Sequence, residues 1–350
     1  MKTKIYFFTF LLLIFIFQNN PCFSQEKKYK IGLIGFYNLE NLFDTIDGPN
    51  NDAEFLPDGA NLYTGKVYLD KLSKLADVIS LIGTDASPDG LSIMGCAEVE
   101  NKSVLTDLTH QPKLAARHYE IVHYDSPDER GIDVGLLYNP KYFKPIFSEP
   151  LFIDIKNEDG SPRYTRDILY VTGMYDGEQI HILVGHWPSR RGGEEASAPY
   201  REKAARVCKH KIDSITKLNA DAKILVMGDL NDDPVSPSVA IVLKAKGEKE
   251  KVKKGSLYNP WMDYYMKGIG TLAYNDAWNL FDQILLTPAF ISKNKTGYFF
   301  KEADIFSKPW MVQKTGRFKG YPLRTYDFNK YIGGYSDHFP TYVVLLKEIK

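Results

Sequence analysis

Apolar runs bounded by turn-forming residues recur along the chain. Eight of them are rich in β-branched and aromatic side chains and indicate buried strands. They lie at residues 31–37, 91–97, 133–138, 168–175, 179–187, 223–228, 281–286 and 341–346. Asp176-Gly177, between two of the runs, is typical of a tight hairpin turn. The pattern therefore predicts a protein rich in strands, with at least one antiparallel hairpin.

Two stretches between the strands have apolar residues at helical spacing instead. The first contains Leu69, Leu72, Leu75, Ile79 and Ile82, and the second contains Val207, Cys208, Ile212, Ile215 and Leu218. Both are predicted to be amphipathic helices that cover a sheet. Because strands and helices do not alternate strictly, we expect an α/β fold, a four-layer α/β/β/α sandwich of two mixed sheets flanked by helices.

The first residues differ from the rest of the chain. Lys2 and Lys4 precede an almost unbroken apolar stretch over residues 5–17, and small and polar residues follow up to Ser24. This order predicts a secretory signal peptide over residues 1–24. The apolar stretch falls short of the roughly 20 residues that a membrane-spanning helix needs.

We therefore expect cleavage near Ser24 or Gln25, with no stable membrane insertion afterwards. The mature domain would comprise residues 25–350, and the protein would be exported to the periplasm or secreted. A lipid attached at Cys22 stays open, although Asn20 and Pro21 are a poor approach to such a cysteine.

Composition narrows the class of protein further. The chain has 350 residues, of which 44% are hydrophobic and 25% charged, which is typical of a folded globular protein. The 44 basic and 44 acidic residues balance, so bulk charge gives no support for nucleic-acid binding. Cys96 and Cys208 are too few for a disulfide framework, and we expect both in the core. We also expect a monomer.

Polar side chains stand at the ends of six of the apolar segments. They are Asn38, Glu98, His186, Asp229 with Asn231, Asp282, and Asp337 with His338. Each alone has a structural explanation, such as a turn cap, an ion pair or a histidine satisfied in the core. Their repetition at six separate strand ends indicates one shared site.

Carboxylates that converge at such a site would repel one another unless a cation or shared protons neutralised them. Oxygen ligands without a Cys/His cluster suit Mg²⁺ or Mn²⁺ better than structural zinc. Histidines beside a metal can move protons, and a carboxylate such as Asp282 can orient the imidazole of His338. No nucleophile elbow or phosphate-cradling glycine loop is present in the sequence, which favours metal-assisted hydrolysis by water.

These segments resemble the blocks of the endonuclease/exonuclease/phosphatase superfamily, whose fold is that of deoxyribonuclease I. VMGDLNDDP resembles its GDxN strand end and YSDHFP its terminal Ser-Asp-His. FYNLENLFD, CAEVEN, TRDILYV, GHWPSR and NLFDQILL are similar to the other blocks, in the same order. The similarity extends over residues 30–346, and ordered agreement of several motifs is far more specific than any single one.

The resemblance implies a metal site. Glu98 would hold a divalent cation, Mg²⁺ or Mn²⁺, together with Asn38 and Asp337. If the motif were aligned a few residues away, neighbouring side chains would be the ligands instead. These alternatives are Glu40, Asn41 and Glu100.

The resemblance also implies catalytic roles. Asp229 and Asn231 would position the attacking water or the phosphate, and Asp229 would take or give a proton. His338, oriented by Asp282, would contact the phosphoryl oxygen or activate water. His186 would be a second contact to the phosphate or the leaving group.

Arginines near these segments are candidates for binding substrate. Arg190 and Arg191 follow His186, and Arg166 precedes the hairpin. Planar guanidinium groups suit phosphate oxygens, although exposed arginines in a polar turn would look the same in sequence. A later basic cluster would extend this strip along the rim of the site. It comprises Lys314, Arg317, Lys319 and Arg324.

The expected function is that of an exported, divalent-metal-dependent phosphodiesterase, a nuclease that hydrolyses DNA or RNA. The alternative within the same fold is a phosphatase or phospholipase-like diesterase that acts on inositol phosphates or sphingolipid head groups. A catalytically inactive binding protein is a second alternative. The complete set of candidate residues argues against the inactive protein, whereas the sequence leaves the two kinds of substrate open.

Overall fold

The computed structural model describes residues 27–157 and 159–349. The predicted signal peptide lies outside the described residues. Among the described residues, no helix combines the length and the apolar character required to cross a bilayer.

Strands outnumber helices among the described residues. In chain order, the strands are β1 Tyr29–Leu42, β2 Ile93–Val99, β3 Glu120–His123, β4 Asp133–Tyr138, β5 Phe143–Leu151, β6 Ile155–Lys156, β7 Pro162–Arg163, β8 Ile168–Tyr175, β9 Glu178–His186, β10 Lys223–Asp229, β11 Ala245–Lys246, β12 Leu257–Tyr258, β13 Leu272–Tyr274, β14 Ala277–Asn279, β15 Asp282–Leu286, β16 Phe299–Ile305, β17 Tyr326–Asp327, β18 Lys330–Tyr331 and β19 Thr341–Glu348. The α-helices are α1 Gly65–Ile79, α2 Lys102–Thr109, α3 Glu194–Leu218 and α4 Met262–Met266. Short 3-10 or π turns lie at Ala53–Phe55, Ala115–Arg117, Ser238–Val242, Lys249–Lys251, Pro288–Ile291 and Pro309–Met311.

Two large sheets contain most of the long strands. The first has the strand order β16-β19-β1-β2-β4-β3, and the second has the order β11-β12-β15-β10-β9-β8-β5. In the first sheet β1 is parallel to β2 and antiparallel to β19. In the second sheet β10 is parallel to β9 and antiparallel to β15. Both sheets are therefore mixed, as the sequence predicts.

Three apolar cores separate four layers. Alternate residues of β1 face opposite sides, as a period of two requires. Ile34 packs toward the second sheet in the central core, which also contains Val184 and Met227. Leu33 faces the core under α1 and α2, and α3 covers the outer face of the second sheet through residues such as Ile212. The predicted α/β/β/α sandwich is thus confirmed.

Most of the predicted elements are present. All eight predicted strands occur, and the turn at Asp176 and Gly177 has φ of 49° and 82°, the two positive angles of a tight hairpin. The prediction is wrong for two residues. Leu69 is 61% exposed and Leu218 is 91% exposed, so neither belongs to the apolar stripe of its helix. Strand β5 was not predicted, because it is an edge strand with prolines and mostly exposed side chains.

The two mature cysteines are buried, as expected. Cys96 lies in the core under α1 and α2, and Cys208 lies in the core under α3. Burial raises the pKa of both thiols to about 12. Both therefore act as small apolar residues rather than as reactive thiols.

Candidate active site

The second sheet places three polar side chains next to one another at one end of its strands. Asp229 is the last residue of β10, and strand pairing sets it opposite His186 at the end of β9 and Asp282 at the start of β15. All three are buried. Strands β9 and β10 approach closely here, since a Cβ atom on Gly228 would lie 2.0 Å from the carbonyl oxygen of Gly185. The glycine before Asp229 is therefore required by the packing.

Bulges in the first sheet turn Asn38 and Glu98 toward the same place. The pairing of β1 with β2 is interrupted after Asn38, and that of β2 with β4 is interrupted at Glu98, whose φ is 59°. Bulges beside active sites commonly redirect a side chain. Nδ2 of Asn38 donates to Oδ2 of Asp229 at 3.0 Å, and Oε1 of Glu98 lies 3.9 Å from Nε2 of His186. Both sheets therefore contribute to one site.

The loop before β19 closes the site. Oγ of Ser336 donates to the carbonyl oxygen of Asn38 at 2.7 Å and accepts from the backbone N–H of His338 at 3.1 Å. This serine fixes the loop against the bulge of β1, which places the imidazole over the end of the second sheet. Ser336 belongs to the YSDHFP segment, but its positioning role was not predicted.

His338 connects the carboxylates of the site. Its Nδ1 is bonded to Oδ2 of Asp282 at 2.7 Å. Its Nε2 lies 3.8 Å from Oδ2 of Asp229 and 3.9 Å from Oδ1 of Asp337. The orientation of His338 by Asp282 is therefore present as predicted. The second ring nitrogen faces the space between the other two carboxylates.

The pKa values of the two histidines are shifted in opposite directions. Although burial opposes its charged form, the Asp282 carboxylate raises the pKa of His338 well above its usual range, with further contributions from Asp229. Burial lowers the pKa of His186 well below its usual range, and the nearby Arg166 guanidinium adds to the effect. The site therefore contains an imidazolium donor at His338 and a neutral imidazole at His186.

Asp229 is poised to exchange a proton near neutral pH. Burial raises its pKa to about 7, while His338 opposes the shift and Asp282 adds to it. Its Oδ1 accepts the backbone N–H of Asn231 at 3.0 Å. A carboxyl group with a pKa near the working pH is well suited to general acid–base catalysis.

Asn231 is held by the protein itself. Its Nδ2 donates to the carbonyl oxygen of Trp187 at 2.9 Å, and its φ is 48°. Only asparagine, aspartate and glycine adopt this left-handed conformation readily. The residue therefore shapes the turn that presents Asp229.

The donor set fits a hard divalent cation. Ligand atoms of Asp229, Asp282 and His338 lie within 4.8 Å of one another. Oδ1 of Asp282 has no hydrogen-bond partner among the described residues, and Asp229 would be buried as an anion. Of the predicted ligands, Glu98 lies 3.9 Å from His186 and Asp337 lies 3.9 Å from His338, and both carry carboxylate oxygens. Asn38 turns its amide nitrogen toward Asp229, while its Oδ1 accepts the backbone N–H of Glu40 at 2.9 Å. A cation there would neutralise the carboxylates, polarise the phosphoryl group and activate water.

Two of the alternative ligands bond to other groups of the protein. Oε2 of Glu100 accepts the backbone N–H of Asp44, and Oδ1 of Asn41 accepts from Arg130. Both side chains therefore have protein partners away from His338. Oε2 of Glu98 accepts the backbone N–H of Asn41 at 2.9 Å, which leaves Oε1 toward His186.

Glu40 belongs to a buried network beside the site. Its Oε2 accepts the backbone N–H of Thr325 at 2.7 Å and the hydroxyl of the same residue at 2.9 Å. Nζ of the buried Lys71 donates to that hydroxyl at 2.7 Å, and Arg324 donates to Asp337 at 3.0 Å. Burial raises the pKa of Glu40 to about 7. Lys71 and Thr325 carry no motif in the sequence, so they were not predicted.

Arg166, predicted to bind substrate, is held by protein partners. Its Nε and Nη2 donate to the carbonyl oxygens of His186 and Trp187, and its Nη1 donates to Asp128 at 3.0 Å. The side chain is buried. This arginine supports the end of β9 from behind.

Arg190, also predicted to bind substrate, likewise has protein partners. Its guanidinium bonds to the carbonyl oxygen of Asn231 and to the carboxylates of Asp233 and Glu194, and it lies over the ring of Phe281. These contacts hold the turn after β10. Arg191, the third predicted residue, is exposed.

A cavity beside the site contains the exposed arginine. It has a volume of about 680 Å³ and lies next to the end of β9. Its basic lining comprises Arg130, Arg163, Arg166 and Arg191. Guanidinium groups are suited to bind phosphate oxygens.

Comparison with known proteins identifies the fold. The sequence model described as the Endonuclease/Exonuclease/phosphatase family matches residues 33–347. The chain belongs to this family. Its members are metal-dependent phosphoric ester hydrolases, and the protein is an enzyme of this class. The sequence has no significant match among curated proteins.

Solved structures of the family share the fold of this chain. The D. rerio TDP2 complexed with single-strand DNA product has a TM-score of 0.54 at 15% identity, covering 90% of this chain and 98% of that chain. A family protein from Bacteroides thetaiotaomicron has a TM-score of 0.53 at 14% identity, covering 92% and 97%. The human Nocturnin catalytic domain with bound sulfate anion has a TM-score of 0.52 at 13% identity, covering 92% and 98%.

Proposed function

We propose that this enzyme is a phosphodiesterase that hydrolyses nucleic acid, chiefly DNA, by attack of water in the presence of Mg²⁺ or Mn²⁺. The observation that carries the proposal is the opposition of Asp229 and His338 across 3.8 Å. One group has a pKa near neutrality and accepts a proton, whereas the other is cationic and donates one. A phosphoryl group and its attacking water set against both side chains would meet both requirements of hydrolysis.

Each residue of the site then has a chemical task. Asp229 accepts a proton from the attacking water, and its position is fixed by the amide of Asn38. Nε2–H of His338 donates to a phosphoryl oxygen and stabilises the charge that develops there. The neutral His186 lies beside Asp229 at 3.6 Å and contacts the leaving group. Glu98 and Asp337 would supply carboxylate oxygens for the cation, with Asn38 beside them.

Two observations support nucleic acid as the substrate. The cavity with Arg130, Arg163 and Arg191 offers cationic contacts beyond the reacting phosphate, which a polymer with repeated phosphates can use. In addition, the D. rerio TDP2 structure that shares this fold holds a single-strand DNA product.

The proposal is tested with purified protein on a panel of single-stranded DNA, duplex DNA, RNA, inositol phosphates and sphingomyelin at low salt with Mg²⁺ or Mn²⁺. We expect cleavage of DNA. Asp229→Asn and His338→Ala should each lower turnover by about 10²-fold or more, the scale of acid–base contributions. Asp221→Asn and His210→Ala, which change exposed residues outside the site, are the matched controls.

Other results would lead to other functions. Rapid release of phosphate or a head group from a small ester, with no cleavage of DNA or RNA, would replace the nuclease with the phosphatase or phospholipase. Binding without turnover of any substrate would favour an inactive binding protein.

We also propose that the enzyme is exported. The support is the basic and apolar pattern of residues 1–24. Amino-terminal sequencing of protein recovered from the producing cell should give a mature end near Gln25. An uncleaved Met1 terminus in the membrane fraction would indicate an anchor instead.

A further inference from the structure

Phe328 combines an unfavourable backbone angle with an exposed aromatic ring. It lies in the turn between β17 and β18 with φ of 51°, a conformation that costs a bulky side chain strain. Its ring is also 79% exposed. Turn positions with positive φ are usually taken by glycine, asparagine or aspartate. A strained and exposed aromatic residue is therefore a candidate for function.

The ring stands at a cavity that adjoins the active site. This cavity has a volume of about 270 Å³ and includes Phe318, Tyr326 and Phe328 in its lining. Glu40 and Arg324, which belong to the network beside Asp337, also line it. A molecule that places its phosphate at His338 can therefore extend a neighbouring group into this cavity.

The cavity also has acidic side chains in its lining. Asp327 and Glu54 both belong to it. Their carboxylate oxygens accept hydrogen bonds. The cavity thus combines aromatic faces with hydrogen-bond acceptors.

We propose that this cavity binds the nucleobase next to the scissile phosphate, with Phe328 stacked on its face. The inference rests on the proposed nuclease function and names the part of the substrate that the cavity recognises. Stacking needs a flat ring and an exposed aromatic side chain, and every nucleobase supplies the ring. The acceptor on Asp327 matches the exocyclic amino group of cytosine or adenine, so bases with that group bind best.

The test uses Phe328→Gly, because glycine removes the ring and adopts the positive φ without strain. Phe328→Trp restores a stacking surface. Tyr29→Ala, at the opposite end of β1 from the site, is the control for loss of an exposed aromatic residue.

Two measurements are made on each protein. Binding of a short single-stranded oligonucleotide with 2-aminopurine is followed by fluorescence in EDTA, and cleavage is followed with Mg²⁺ on oligonucleotides with or without a base beside the cut phosphate.

We expect wild type and Phe328→Trp to quench 2-aminopurine, and Phe328→Gly to weaken binding by about 5-fold or more, the scale of one lost base stack. In cleavage, Phe328→Gly should raise KM for the substrate with a base and leave the abasic substrate unchanged. Asp327→Asn should reduce the preference for cytosine over thymine. The melting temperature of Phe328→Gly should not fall, which separates a loss of binding from a loss of folding.

Equal effects on both substrates, or unchanged binding in Phe328→Gly, would overturn the stacking site while leaving the nuclease function in place. A change in oligomeric state of Phe328→Gly by gel filtration would overturn it in favour of contact with a second copy of the chain. If no nucleic acid is cleaved but wild type quenches 2-aminopurine and Phe328→Gly does not, the binding site stands and the proposed reaction is wrong. Absence of both cleavage and quenching would overturn both.

Discussion

His338 bonds through Nδ1 to Oδ2 of Asp282 at 2.7 Å, while its Nε2 faces Asp229 at 3.8 Å. One hydrogen bond thus fixes which ring nitrogen faces the reacting phosphate. Asp282 is fully buried at the first position of β15, so the imidazole is oriented by a rigid strand. The precision of the site depends on this pair as much as on the metal ligands.

Asp282→Asn should lower kcat by about 10²-fold, the lower end of general acid–base contributions, because the amide no longer holds the imidazolium. The Asp282 carboxylate raises the pKa of His338, so its removal should also move the alkaline limb of the kcat profile to lower pH. Steady-state kinetics across pH check both effects, with the exposed Asp221→Asn as control. An unchanged alkaline limb would mean that His338 is not the proton donor.

Chelation should abolish hydrolysis. The buried carboxylates of the site need a cation when they are ionised, so exhaustive EDTA treatment should remove activity and Mg²⁺ or Mn²⁺ should restore it. Glu98→Gln should raise the cation concentration for half-maximal activity, because its Oε1 faces the site. Glu100→Gln is the matched control, since its carboxylate bonds to Asp44 instead. Full activity in EDTA would contradict the mechanism.

Glu40 and Asp229 should stabilise the metal-free protein less as pH rises from about 4 to about 7. Burial raises the pKa of Glu40 and of Asp229 to about 7, whereas unfolded carboxyl groups titrate at about 4. In that range these two groups bind more protons in the folded state, so their contribution to the free energy of unfolding falls with pH. The lowered pKa of the buried His186 acts in the opposite direction.

Urea denaturation in EDTA at several pH values measures this dependence. In Glu40→Gln, the free energy of unfolding should lose the part of the fall that Glu40 contributes between about pH 4 and about pH 7, because the amide does not titrate. The exposed Glu54→Gln is the control. An identical slope in Glu40→Gln would show that this carboxyl does not carry the effect.

Arg190 and Arg191 should respond differently to the same substitution. Arg190→Ala removes the partner of Asp233 and Glu194, so it should lower stability by about 1–3 kcal/mol, the cost of unsatisfied buried groups. Arg191→Ala should leave stability unchanged and weaken DNA binding, with a shallower dependence on salt by about 0.9 for each lost contact to a phosphate of duplex DNA. Thermal unfolding and binding titrations at several salt concentrations distinguish the two. Loss of stability in Arg191→Ala would contradict this assignment.

The sequence indicated the strand ends well because each polar residue follows an apolar run. Asp229, His186 and Asp282 come from three segments, yet their adjacency follows once β9, β10 and β15 are neighbours. The choice of Glu98 over Glu100 came from the resemblance, and the bulge at Glu98 supplies its physical reason.

The arginines show where local pattern stops being informative. Arg190 bonds to Glu194, four residues away, but its other two carboxylates lie 42 and 43 residues away, and the sequence does not reveal that they meet it. The contact between Glu40 and Thr325 spans 285 residues and carries no motif. Phe328 was missed because an aromatic residue in a polar turn becomes informative only with its backbone angle and its neighbouring cavity.

The pairing of β1 with β19 has a consequence for synthesis of the enzyme. Tyr29 near one end of the described chain lies opposite Glu348 near the other, and Ser336 and His338 directly precede this last strand. A ribosome must therefore translate the chain beyond His338 before the imidazole can meet Asp282. The growing polypeptide has no assembled catalytic centre until this late segment has been made.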